Sequence, residues 1–525
     1  MSAFYTGCPV SDEFMKRWRS GSQIGNAKPW QQVRVRRGRL KRTWHHNWPN
    51  PQFGQVVGES IKHQWYADWV AIDDWTTLDG VSEVDLDQSF SNNGITVASV
   101  IADNLQMKNR VSGGGNLYHT VERGYLYPWR GYTPARNPGT NQSRNAYYRR
   151  LPNAQIEIQQ GYGPDTAVKT FTGLIDSIDF SGRPDRASIS ARDFGGVLTD
   201  SYIFGWNKPP HIKDPITFVP WNYDPKQVRT SGKHWRWIRV KDVTDVVRCV
   251  LRWAGFKDWQ VENAGVELKT PYQVDKSKSY MDVITDIQAQ LGYVFFIAEP
   301  NQADDLSIGT AVFRRSQATV QTSKAKPVAL SGKRLLTDFK PRFDNASDRY
   351  IIRVRGQLLD RAKGGRPLGG DPNPRVTFQY WPPWMNYMAG VIKQLTYYNI
   401  GDTSSVGFQT IWDCQMACML IALQIALQRE TCTGSTIGTP ALGLDSMAYI
   451  TDEATGVASR CYIANRKSTM KLGGDGTSAM GSGTNPIWAT DFGGSLVDSP
   501  EWDHLRVDYS RAVHKKHVQS WGTPN

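Results

Sequence analysis

The chain has 525 residues, 39% apolar and 21% charged, with a net charge of +13. That length is too great for one core and sets an expectation of about three to four domains, while the apolar share excludes bulk disorder. Six scattered cysteines exclude a disulfide scaffold, and no basic-then-apolar leader opens the chain.

Glycine (47) and proline (28) are frequent, which fits many turns and a β-rich architecture. The 20 tryptophans suit core packing first, and large protein interfaces or sugar contacts second. The positive charge is concentrated: residues 1–50 hold ten Lys/Arg against two Asp/Glu. Residues 1–60 read as an extended basic arm, because Pro29, Pro49, Pro51 and scattered Trp interrupt every periodic pattern. Its basic centre is Arg34, Arg36, Arg37, Arg39, Lys41 and Arg42. Three readings compete there: docking on an acidic surface of the same or a neighbouring subunit, a solvated strand with alternating Arg, or nucleic-acid binding. The segment that follows favours docking. From His63 to Met107 there is no Lys or Arg, yet there are eight acids, among them Asp73, Asp74, Asp85 and Asp87.

From Trp65 the chain turns strand-like. Val84–Asp87 alternates, Asn93-Gly94 suits a hairpin turn with two positive φ angles, and Ile95–Ile101 is rich in β-branched residues. Residues 109–150 read as a long loop. Strands return at Ile156, making 61–210 a small barrel-like β-domain. Within it, Phe171–Phe180 is an apolar strand, Ser181–Asp185 a turn, and Ala187, Ile189 and Ala191 alternate with polar residues.

Residues 211–310 change to an α/β pattern. Val243, Val246, Val247, Val250, Leu251 and Ala254 mark a helix, with Gly255 at its C′ position. Ser279 and Asp282 form the ends of a capping box for a second helix, which stops at Leu291-Gly292 before a strand at Tyr293–Ala298. Leu335–Gly356 reads as strand, turn and strand, placing a second β-domain at about 311–405. The segment 406–525 reads as an apolar helix near Ile411–Arg429, a β-meander through Ala464, a Gly/Ser-rich loop at 472–485 and a polar tail at 503–525. Cys414–Leu427, the most apolar stretch, is too short to span a bilayer.

Catalytic and metal signatures are sparse. No phosphate-cradling glycine loop, H-E-x-x-H or G-x-S-x-G occurs. Cys414 and Cys418 share a helical face, but only Cys432 and Cys461 lie near as further ligands, so no metal or other cofactor is expected. Asp176 and Asp179, or Asp73 and Asp74, are the acids a glycosidase reading would use; turn and edge positions explain them as well.

Two segments carry a resemblance. Phe171–Ser201, FTGLIDSIDFSGRPDRASISARDFGGVLTDS, and Ser279–Ile297, SYMDVITDIQAQLGYVFFI, resemble the hub proteins of long-tailed phage baseplates, the late control gene D-like family that includes siphophage minor tail proteins. The apolar helix followed by a meander whose first strand carries Gly438-Thr439-Pro440, through Ala464, is similar to the closing module of such hubs. The resemblance implies a mixed, β-rich α+β fold with two small tail-tube-like barrels, an α/β domain between them, and a C-terminal helix plus meander. It also implies a structural, non-enzymatic virion protein, made in the host cytoplasm and placed at the tail tip. There a homotrimeric ring would join the sixfold tube to threefold tip components around a DNA-ejection channel. Its partners would be copies of itself, distal tail and tail-tube proteins, the tape measure protein and other tip proteins, with transient contact to phage DNA and the host envelope. The basic arm then becomes an interface candidate, and Asp73, Asp74, Asp85 and Asp87 become candidates to line the channel. A tail-associated glycan hydrolase or a carbohydrate-binding adhesin is the alternative.

Overall fold

The computed structural model describes residues 8–20, 28–43, 66–103, 153–179, 186–201, 217–221, 237–319, 327–344, 351–358, 375–384, 396–399, 411–471 and 487–521, less short gaps at 73, 79, 266–267, 269–270 and 275–277. The Ser181–Asp185 turn, the 109–150 loop and the Gly/Ser-rich 472–485 segment lie outside them.

In chain order, helix α1 (Asp12–Ser20) precedes strands β1 (Trp30–Thr43), β2 (Tyr66–Ala71), β3 (Thr76–Thr77), β4 (Glu83–Ser89), β5 (Thr96–Asp103), β6 (Asn153–Gly161), β7 (Val168–Asp179) and β8 (Arg186–Asp193). Helix α2 (Gly195–Asp200) leads to β9 (Thr217–Pro220), β10 (Trp237–Val240), α3 (Thr244–Ala254), β11 (Trp259–Val261), β12 (Tyr272–Gln273), α4 (Tyr280–Leu291), β13 (Tyr293–Ala298) and β14 (Thr310–Arg315). Next come β15 (Val328–Ser331), α5 (Gly332–Leu335), β16 (Thr337–Phe343), β17 (Ile352–Leu358), β18 (Arg375–Tyr380), β19 (Thr396–Asn399) and α6 (Ile411–Arg429). The chain ends with β20 (Glu430–Ile437), β21 (Met447–Asp452), β22 (Val457–Lys471), β23 (Ile487–Leu496) and α7 (Pro500–Trp521).

One 14-stranded sheet dominates. Its first part runs β4-β5-β8-β7-β6-β1-β2, antiparallel throughout. The period-2 pattern puts Val33, Val35, Val84, Val100, Ile158 and Ile189 into one core, so β1 and β4, at opposite sides of this run, share the same apolar interior. The strands therefore curl. The short β3 pairs with β1 and leads directly into β4. The second part runs β16-β20-β23-β22-β21-β15 and curls over Leu330, Ile450, Ile463, Met470, Trp488 and Phe492, with α5 joining its two outer strands. β22 fuses the two parts. Its first half pairs with β21 and its second half, Asn465–Lys471, with β4. The sheet path stays open from β16 to β2 among the described residues, in place of the two closed barrels expected.

Three further departures have physical reasons. The basic stretch of the expected arm is an inner strand: β1 lies between β6 and β2, because Val33 and Val35 are fully buried. Ahead of it, α1 sends Phe14 and Trp18 into the second curl against Tyr162 and Trp488. Leu335–Gly356 is not a strand pair; β16 joins β20, whereas β17 joins β18 and β19 in a separate sheet against α6. The second curl thus takes its strands from 328–343 and 430–496. The polar tail is helix α7, whose Trp502, Leu505, Tyr509 and Ala512 form a buried stripe against α6.

The middle region follows its sequence signals closely. Gly255 closes α3 at φ 93°. At α4, Ser279 Oγ accepts from Asp282 N (3.1 Å) and Asp282 Oδ2 accepts from Ser279 N (2.7 Å). Two three-stranded sheets, β10-β9-β12 and β11-β14-β13, flank these helices. No described helix is long and apolar enough to cross a membrane.

Candidate functional site

The Ala191-Arg192-Asp193 stretch at the end of β8 is a built structural node. Alternation sends Arg192 outward and Asp193 inward. Arg192 bridges two carboxylates, donating to Asp176 on β7 (2.6 and 3.0 Å) and to Asp200 on α2 (2.6 and 3.3 Å). Asp176, an acid of the glycosidase reading, is therefore held by a guanidinium. Asp193 is buried; its two oxygens accept from Gly195 N (2.8 Å) and Thr96 N (2.7 Å), tying β8 to β5 and the start of α2. Burial pushes its carboxyl up to about 7, against the opposing pull of the two backbone donors.

The basic strand finds acids within its own chain. Arg34 forms a charge pair with buried Glu157 on β6 and lies 3.8 Å from Asp305. Arg36, only 5% exposed, donates to Gln155 (2.8 Å) and Asp305 (3.1 Å). Its guanidinium sits 4.0 Å from the centroid of Trp75, whose indole N–H donates to Asp305 (2.8 Å). The β13–β14 connection is thereby locked onto the sheet. Arg37 is half-buried; of Arg39, Lys41 and Arg42 only the strand positions are described, opposite Val70, Asp68 and Ala67 of β2.

The acids take different places. Asp73 lies outside the described residues, and Asp74 is exposed beside Trp75. Asp85 is half-buried and Asp87 exposed on the outer face of β4, where β22 brings lysines beside them. Lys471 pairs with Glu83 at 2.8 Å, and Asp87 stands in register with Lys467, which stands in register with Asp491 of β23. The acid-only stretch of sequence thus becomes a mixed-charge face across the fusion of the two curls.

Two buried ion pairs that no local sequence pattern marks clamp the α/β region to the second curl. Arg466 pairs with Glu299 and donates to Leu442 O (2.7 Å). Arg314 meets Asp445 at 3.0 Å, while Ser316 and Gln317 also donate to that carboxylate. Burial raises Asp445 to about 6, and Arg314 opposes the rise. Among the described residues no cluster of His, Cys, Asp or Glu is arranged to hold a metal ion.

The solved structures to which the chain is similar include tail proteins, two of them from prophages. One is the tail protein from Neisseria meningitidis MC58, with 10% identity and TM-score 0.46 over 80% of this chain and 93% of that one. Another is the 43 kDa tail protein of prophage MuSo2 from Shewanella oneidensis, with 10% identity and TM-score 0.45 over 89% of this chain and 98% of that one. A third is prophage tail protein gp18 from Listeria monocytogenes EGD-e, with 11% identity and TM-score 0.39 over 84% and 97%. No protein-family model and no curated protein sequence matches the chain.

Proposed function

We propose that the chain is a structural subunit of a phage tail tip, a baseplate hub that assembles as a homotrimer. The observation that carries this reading is the fusion of two curled units into one sheet through β22 and β4. A chain with two such units side by side supplies six around a threefold axis, which is what mating a sixfold tube to threefold tip proteins requires. The hub-like wording of Phe171–Ser201 and Ser279–Ile297 supports it, since both segments build this frame: β7, β8 and α2 in the first curl, α4 and β13 in the module packed on it.

The outer face of β4 and β22 is the proposed channel wall. Glu83, Asp85 and Asp87 alternate there with Lys467 and Lys471. Such a face carries little net charge and so holds passing DNA weakly, because strong retention needs many unpaired cations that release counterions. Arg34 and Arg36, already paired within the chain, serve to fix the fold, and the strand positions Arg39, Lys41 and Arg42 remain the interface candidates. The role is assembly, without catalysis, in the virion, next to the tube, tape measure and tip proteins. Image averages of the purified protein test this: rings with threefold symmetry and a central hole are expected, and solid, asymmetric particles count against it.

A further inference from the structure

We propose that the cleft between α6, the α4–β13 junction and the inner strands β20 and β23 of the second curl is a binding site for a neutral oligosaccharide. The cleft measures about 650 Å³, within the usual range for small-molecule sites. Four carboxamides line it: Gln288 on α4, Gln424 and Gln428 on α6, and Asn465 on β22. None of the four makes a side-chain hydrogen bond to another described residue. Thr431 and Thr433 of β20 add hydroxyls. The apolar part is Phe90, Leu420, Leu423, Leu427 and Tyr462, with Phe90 and Tyr462 stacked at 9° between planes. The charges in the cleft, Arg342 and Asp344, satisfy each other at 2.8 Å.

That chemistry selects its ligand. A carboxamide donates and accepts at once, as a sugar hydroxyl does, so the two match group for group. Aromatic and leucine side chains suit the apolar C–H faces of a pyranose. Among the described lining residues no charge is uncompensated, which disfavours acidic or cationic ligands. An extended peptide is a poorer fit, because β20 and β22 are each paired on both sides and offer it no open strand edge. A helical peptide satisfies its own backbone and would leave the carboxamides unmatched.

The test uses the full-length protein and neutral trisaccharides of glucose, galactose, mannose, rhamnose and N-acetylglucosamine, by saturation-transfer NMR and titration calorimetry. At least one should bind. The double variant Gln424→Ala/Gln428→Ala should weaken that sugar about tenfold or more, as expected for two lost hydrogen bonds. Both side chains are exposed, so its melting temperature should match the parent's. Binding of none of the five sugars at tens of millimolar overturns the proposal. So does binding that the double variant leaves unchanged, or a cleft that takes up unstructured peptides and no sugar. These outcomes are independent of oligomeric state, so the site and the hub reading can fail separately.

Discussion

At the scale of single residues, Asp193 shows how a short motif earns its place. The letters Ala191-Arg192-Asp193 carried a resemblance but no mechanism; the mechanism needs Thr96, Asp176 and Asp200, which lie up to about a hundred positions away and become neighbours only when the sheet forms. The same is true of Arg314–Asp445 and Arg466–Glu299, pairs separated by more than a hundred residues. Asp193 also has a measurable signature. Its carboxyl titrates at about 7 in the fold against an ordinary value of 3.8, so between those values the folded state holds the extra proton. Its contribution is greatest below the lower value and is lost as pH rises through the upper one, by up to about 1.4 kcal/mol per pH unit. Chemical denaturation from pH 4 to 7 should therefore show a falling component that Asp193→Asn flattens. Parallel profiles for the two proteins would refute the assignment.

At the scale of elements, legibility followed local chemistry. Helices α3 and α4 were readable because their caps and stripes are written within a few residues. Removing one cap should cost what caps cost elsewhere: Ser279→Ala is expected to lower stability by about 1 kcal/mol in thermal or denaturant unfolding. Helix α7 was hidden by its charged face, although Ser499, Pro500 and Glu501 are start signals and Ser499 Oγ does accept from Trp502 N (3.3 Å). Because Trp502 is 2% exposed within the α6–α7 cluster, Trp502→Ala should cost about 3–5 kcal/mol. A loss below 1 kcal/mol would mean that the C-terminal segment is not packed as a helix. Strand β1 was obscured in another way. The prolines and scattered tryptophans around it suggested an extended arm, while the alternating arginines of the solvated-strand reading, with Val33 and Val35 between them, already carried the strand period. The partners of β16 and β17 were not readable at all, since turn chemistry at Asp344–Ser347 says nothing about which sheet each strand joins.

At the scale of the whole molecule, β-richness was legible from the strand periodicity and the turn residues. Fusion of the two curls was not, because the pairing of β22 with β4 spans nearly the whole chain and leaves no trace in either strand's letters. That fusion has consequences for assembly. It presents one mixed-charge face, from Glu83 to Lys471, across both. The most direct test is the mass of the purified protein in solution, by light scattering or native mass spectrometry across a range of concentrations. A species of three copies of the 59.1 kDa chain is expected; a monomer that persists at every concentration would contradict the hub.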